Sequence, residues 1–95
     1  MADFYVNKGV AFLRSEKNQE ALESFDEALK SYPKNYLLLY NRGVALKGLE
    51  RYNDAAESYQ GAILCHPTHA SSHLNLGLLC MESNLLTQAM MCFNT

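Results

Sequence analysis

Gly43–Pro67 reads GVALKGLERYNDAAESYQGAILCHP, and its small and aromatic residues return elsewhere at one fixed distance. Stepping back 34 positions takes Gly43 to Gly9, Ala55 to Ala21, Tyr59 to Phe25, Ala62 to Ala28 and Pro67 to Pro33. Stepping forward 34 takes Gly43 to Gly77, Ala55 to Ala89 and Tyr59 to Phe93. The chain is therefore two full copies of one unit and most of a third, at 2–35, 36–69 and 70–95. A self-similarity of this length belongs to repeat architectures, in which each unit buries its apolar face against its neighbours.

Each unit reads as a pair of helices. In the first, Phe4, Tyr5, Val6, Val10, Ala11, Phe12 and Leu13 give a broad apolar stripe over 3–15, suited to a helix packed on two sides. Gly9 in its middle costs about 1 kcal/mol of helix propensity, which a closely crossing helix offsets. After the polar turn Ser15–Asn18, Ala21, Leu22, Phe25, Ala28, Leu29 and Tyr32 form one face of a second helix over 19–32. Its other face is charged, with Asp26 and Lys30 spaced for an i,i+4 pair, and Pro33 ends it. The second unit repeats the plan over 36–49 and from Asn53, a candidate N-cap, to His66. The third begins at Ala70, runs to about Glu82, restarts near Thr87 and stops before any counterpart of Pro33. No polar capping helix follows, which suggests a piece of a longer array.

Bulk properties narrow the function. At 95 residues the chain is a single domain, and its net charge of −2 argues against nucleic acid as the main partner. Every lysine and arginine lies at or before Arg51, and beyond it only Asp54, Glu57 and Glu82 are charged. So sparsely charged a second half asks for a partner surface. No apolar run approaches the ~20 residues of a membrane span, and the N-terminus lacks the basic and apolar regions of a signal peptide. Three cysteines within helical pattern (Cys65, Cys80, Cys92) suggest reduced thiols and a cytoplasmic location.

Gly9-Phe12-Ala21-Phe25-Ala28-Pro33, Gly43-Leu46-Ala55-Tyr59-Ala62-Pro67 and Gly77-Cys80-Ala89-Phe93 together resemble the tetratricopeptide repeat. The resemblance covers nearly the whole chain in register. It implies an all-α, right-handed α-solenoid of helix–turn–helix units. The family's tryptophan position holds Tyr5, Leu39 and His73 here. In the family, the first helix of each pair lines a concave groove for an extended peptide or a partner helix. By position that groove is lined by Asp3, Val6, Asn7, Val10, Leu13 and Arg14, then by Leu37, Tyr40, Asn41, Val44 and Lys47. The third unit supplies Ser71, Leu74, Asn75, Leu78 and Met81.

Asn7, Asn41 and Asn75 are again 34 apart, each two residues before the repeat glycine. Stacked units align them as a ladder. An amide both donates and accepts, so it can pair with a peptide backbone of any sequence. This is similar to the asparagine ladder of some peptide-binding members of the family. The simpler reading is that these amides bond neighbouring helices and solvate an apolar face. Cochaperone members grip a chaperone's C-terminal carboxylate with lysines, asparagines and an arginine. The corresponding positions hold Val6, Val10, Asn41, Ser71 and Asn75, so only Asn41 matches and no cation is present. A chaperone-tail clamp is not expected.

Cys65, His66, His69, His73 and Cys80 are metal-ligand types, but Pro67 and a helix boundary divide them and several fall on framework positions. No metal or cofactor is expected. Nor is catalysis, because no nucleophile, base and orienting group share a pattern and no phosphate loop is present. Leu85, Leu86, Met90, Met91 and Phe93 form an uncharged apolar end that invites self-association into a homo-oligomer. The reading is a non-catalytic module binding a protein or peptide in its groove, with no nucleic acid and no membrane insertion. The alternatives are a scaffold segment that stacks through its C-terminal repeat, or a regulatory segment of a larger enzyme.

Overall fold

The computed structural model describes residues 2–82, and among them the secondary structure is entirely helical. Five helices follow one another: α1 (Ala2–Arg14), α2 (Asn18–Ser31), α3 (Tyr36–Gly48), α4 (Tyr52–Cys65) and α5 (Ala70–Glu82). The bounds of α3 and α5 are those of α1 displaced by 34 and 68, and α4 repeats α2 after 34. The self-association residues Leu85, Leu86, Met90, Met91 and Phe93 lie outside the described residues, as does the expected last helix.

The 34-residue period reaches down to individual hydrogen bonds. After α1, Lys17 N–H donates to the Phe12 carbonyl at 2.9 Å and Glu16 N–H to that of Leu13 at 3.1 Å. After α3, Arg51 donates to Leu46 and Glu50 to Lys47, each at 2.9 Å. Crossed bonds of this kind close a helix through a residue in the left-handed region. Glu16 and Glu50 both take it, each with φ 61°. The chain turns here without a glycine at that position.

Packing explains the small residues. Ala21, Phe25 and Ala28 of α2, and Ala55, Tyr59 and Ala62 of α4, have no exposed surface. Each buried ring contributes about 1.5–3 kcal/mol through the area it removes from water. Gly9 and Gly43 sit against those rings. A Cβ on Gly9 would come within 2.6 Å of Phe25 Cε1, and one on Gly43 within 2.6 Å of Tyr59 Cε1. The alanines and glycines let each pair close tightly. Leu38, Ala45, Leu46, Leu76 and Leu79 extend the core between pairs.

Polar details differ from expectation at three places. Asn53 does not cap α4, because the turn through Glu50 starts the helix at Tyr52 and leaves Asn53 inside its first turn. Asn35 instead caps α3, its Oδ1 accepting from Leu37 and Leu38 N–H at 3.0 and 3.2 Å. Asp26 does not pair with Lys30. It accepts from Arg42 Nε of α3 at 2.6 Å, while Lys30 pairs with Glu27 at 2.9 Å. The hydrogen bond and the charge of Glu27 hold the exposed Lys30 ammonium above its usual pKa. Finally, Cys80 is disulfide-bonded, so three reduced thiols are not what the structure holds; Cys65 is free and exposed.

Candidate functional site

The first helices of the three units stand beside one another. α1 touches α3, and α5 meets α3 through a side-chain bond described below. On each, residues spaced three, four or seven apart share a face. That face carries Val6, Asn7, Val10 and Arg14 on α1 and Leu37, Tyr40, Asn41, Val44 and Lys47 on α3. On α5 it carries Leu74, Asn75 and Leu78. None of these residues is fully buried. Leu37 is 49% exposed, Leu74 62% and Leu78 42%, with Met81 beyond them at 60%.

The three asparagines are not equivalent. Asn7 is exposed and Asn41 half-buried, and neither amide makes a hydrogen bond among the described residues. Asn75 is committed to two. Its Nδ2 donates to the Ser71 carbonyl at 2.8 Å and to Tyr40 Oη at 3.1 Å. The Ser71 carbonyl can only accept, which settles which end of the Asn75 amide carries the hydrogens. Tyr40 is the element that sequence reasoning undervalued. By position it is one lining residue among several, yet its hydroxyl bridges α3 to α5. The available signal was that it is the polar member of the series Val6, Tyr40, Leu74.

Rings fill the space beneath this bond. Tyr40 lies 5.8 Å from Tyr59 and 5.2 Å from His69, and Tyr36 lies 4.2 Å from His66 and 5.0 Å from His69. The histidine nitrogens have local partners, His69 Nδ1 meeting Ser72 Oγ at 2.5 Å and His73 Nε2 the Pro67 carbonyl at 2.7 Å. Among the described residues no three His, Cys, Asp or Glu side chains converge to hold a metal ion. No helix there is long and apolar enough to cross a membrane.

Away from the groove, Arg42 ties three helices together. Its Nε donates to Asp26 on α2 at 2.6 Å and its Nη1 to the buried Ser58 hydroxyl on α4 at 2.5 Å. Its counterparts immediately before Gly9 and Gly77 are Lys8 and Leu76.

The tetratricopeptide repeat family matches residues 6–63 and again 45–90. No curated protein matches the sequence. Among solved structures, the Sgt2 TPR domain from Aspergillus fumigatus superposes with a TM-score of 0.86 at 22% identity, covering 98% of this chain and 62% of that one. The Arabidopsis OM64 TPR domain gives 0.87 at 22% identity, with 98% and 77% covered. The TPR2B domain of yeast Sti1, solved as a pHsp70 complex, gives 0.88 at 17% identity, with 98% and 74% covered. The chain thus spans less than two thirds of the Sgt2 structure. At these identities the likeness is one of fold, an all-α solenoid of helix pairs. With matches that span most of its length in register, the chain belongs to the tetratricopeptide repeat family.

Proposed function

We propose that this chain is a non-catalytic interaction module that holds an extended segment of a partner protein along the first helices of its units. One observation carries the reading. Of seven exposed large hydrophobic side chains among the described residues, four (Leu37, Leu74, Leu78 and Met81) lie on the groove face. Apolar surface concentrated on one face, with amides among it, suits an apolar segment whose backbone also needs partners. The pHsp70 complex of the Sti1 domain supports a peptide as the kind of ligand. The ligand here differs in chemistry, because the five positions that grip a terminal carboxylate hold Val6, Val10, Asn41, Ser71 and Asn75, with no cation among them.

The test compares proteins captured from a cell extract by the wild-type chain and by an Asn41→Ala/Asn75→Ala double variant of unchanged helicity. Partners lost by the variant support groove binding. Partners retained at equal yield contradict it and move the working surface elsewhere.

A further inference from the structure

A ladder of identical amides offers a donor and an acceptor at each step. At Asn75 both amide hydrogens are consumed within the protein, by the Ser71 carbonyl and by Tyr40 Oη. Only Oδ1 is left to face a ligand, and it can only accept. The donor is not lost but moved. Because Tyr40 Oη accepts from Asn75, its own O–H hydrogen is directed elsewhere, and a hydroxyl rotates to suit what it meets. Tyr40 is half-buried and on the groove face, one residue before Asn41. The equivalent positions of the other units, Val6 and Leu74, carry no hydroxyl, so this arrangement exists at one step only.

We infer that Tyr40 and Asn75 act as one composite reader, Tyr40 O–H donating to a backbone carbonyl and Asn75 Oδ1 accepting a backbone N–H of an extended, uncharged partner segment. This rests on the groove reading above and names the ligand at its third step. The side chains beside the pair set the class of segment. Leu74 and Leu78 flank Asn75 on α5 and are exposed, and α5 carries no carboxylate, lysine or arginine before Glu82 at its end. A charged ligand side chain placed over the two leucines loses water that they cannot replace, whereas a bulky apolar one covers them. The occupant over α5 is thus an extended stretch with large aliphatic or aromatic side chains, and not an acidic tail.

The experiment uses a random-peptide display library selected on the wild-type chain, followed by affinity measurements on the enriched peptides. Selection is expected to yield peptides with apolar consensus positions and no acidic terminus. Tyr40→Phe is expected to weaken the best peptide about 5- to 10-fold, as loss of one hydrogen bond does. Replacing single backbone amides of that peptide by esters then finds the position that faces the pair. There the ester costs a similar factor against wild type and much less against Tyr40→Phe, a coupling that a merely structural tyrosine does not produce. If Tyr40→Phe proves unfolded by circular dichroism, the same ester series on Asn75→Leu takes its place. Peptides that depend on Asn41 but bind Tyr40→Phe at full strength overturn the inference and leave the groove reading standing. Enrichment of acidic peptides overturns the class of ligand. No enrichment, or peptides indifferent to Asn41, overturns both.

Discussion

Asn75 Nδ2 lies 3.1 Å from Tyr40 Oη, so an amide on the first helix of the third unit is bonded to a tyrosine on the first helix of the second. The bond joins α5 to α3, two first helices, whereas the buried core mainly joins each helix to the next in sequence. It should therefore register as a coupling in stability. Tyr40→Phe and Asn75→Ala are each expected to cost about 0.5–1.5 kcal/mol, and the double variant clearly less than their sum. Urea unfolding of the four proteins in a double-mutant cycle measures this, and strict additivity would show that the bond contributes nothing.

Two glycines of the second unit should respond oppositely to alanine. Alanine adds about 1 kcal/mol of helix propensity at either. At Gly43 the new methyl meets the fully buried Tyr59 ring at 2.6 Å, and overpacking of this kind costs about 1–3 kcal/mol. At Gly61 the nearest atom is Leu39 Cδ1 at 3.6 Å, an ordinary contact. Gly43→Ala is thus expected to lower stability, by up to about 2 kcal/mol. Gly61→Ala is expected to raise it by up to about 1 kcal/mol. Thermal melts of the two variants check both signs at once.

Glu50 holds φ at 61°, a region that costs a residue with a Cβ roughly 1 kcal/mol. Glu50→Gly removes that cost but frees the unfolded chain, so a net gain of about 0.5 kcal/mol is expected. Glu50→Val, β-branched at a positive φ, should lose more than 1 kcal/mol. Chemical denaturation of the three proteins tests the order Gly above Glu above Val.

The Arg42 bridge separates a surface charge pair from a buried hydrogen bond. Asp26 and Arg42 keep 47% and 28% of their side chains exposed, so Asp26→Ala is expected to cost under about 0.5 kcal/mol. Arg42→Ala also strands the Ser58 hydroxyl, which is 3% exposed, and should cost about 1–3 kcal/mol. Adding Ser58→Ala to Arg42→Ala should recover part of that loss. Salt should leave the Ser58 component unchanged, since screening acts mainly on the exposed pair.

Much of this fold is legible in the sequence because its period is fixed by close packing. Gly43 and Tyr59 must occur together, since one fills the space that the other leaves. The turns are less legible. Nothing in Glu16 or Glu50 announces a left-handed residue, and that conformation, by starting α4 at Tyr52, is what displaced the cap expected at Asn53. Pairings between helices are least legible. Lys30 is correctly spaced for Asp26, but Arg42 of the next helix reaches that carboxylate, a competition local spacing does not reveal. In the candidate groove the asparagine series follows from the period alone. The engagement of Asn75 does not, because it depends on a hydroxyl 35 residues earlier.

The central claim is that the groove face meets the partner, and photo-crosslinking from single positions tests it most directly. A photoreactive phenylalanine analogue is placed at Leu78 on the groove face or at Leu64, which is 83% exposed on α4 and is not a groove residue. Each protein is then irradiated in cell extract. The account predicts a discrete crosslinked product from Leu78, abolished by Asn41→Ala/Asn75→Ala, and none from Leu64. A product from Leu64 alone, insensitive to the asparagine substitutions, would contradict it.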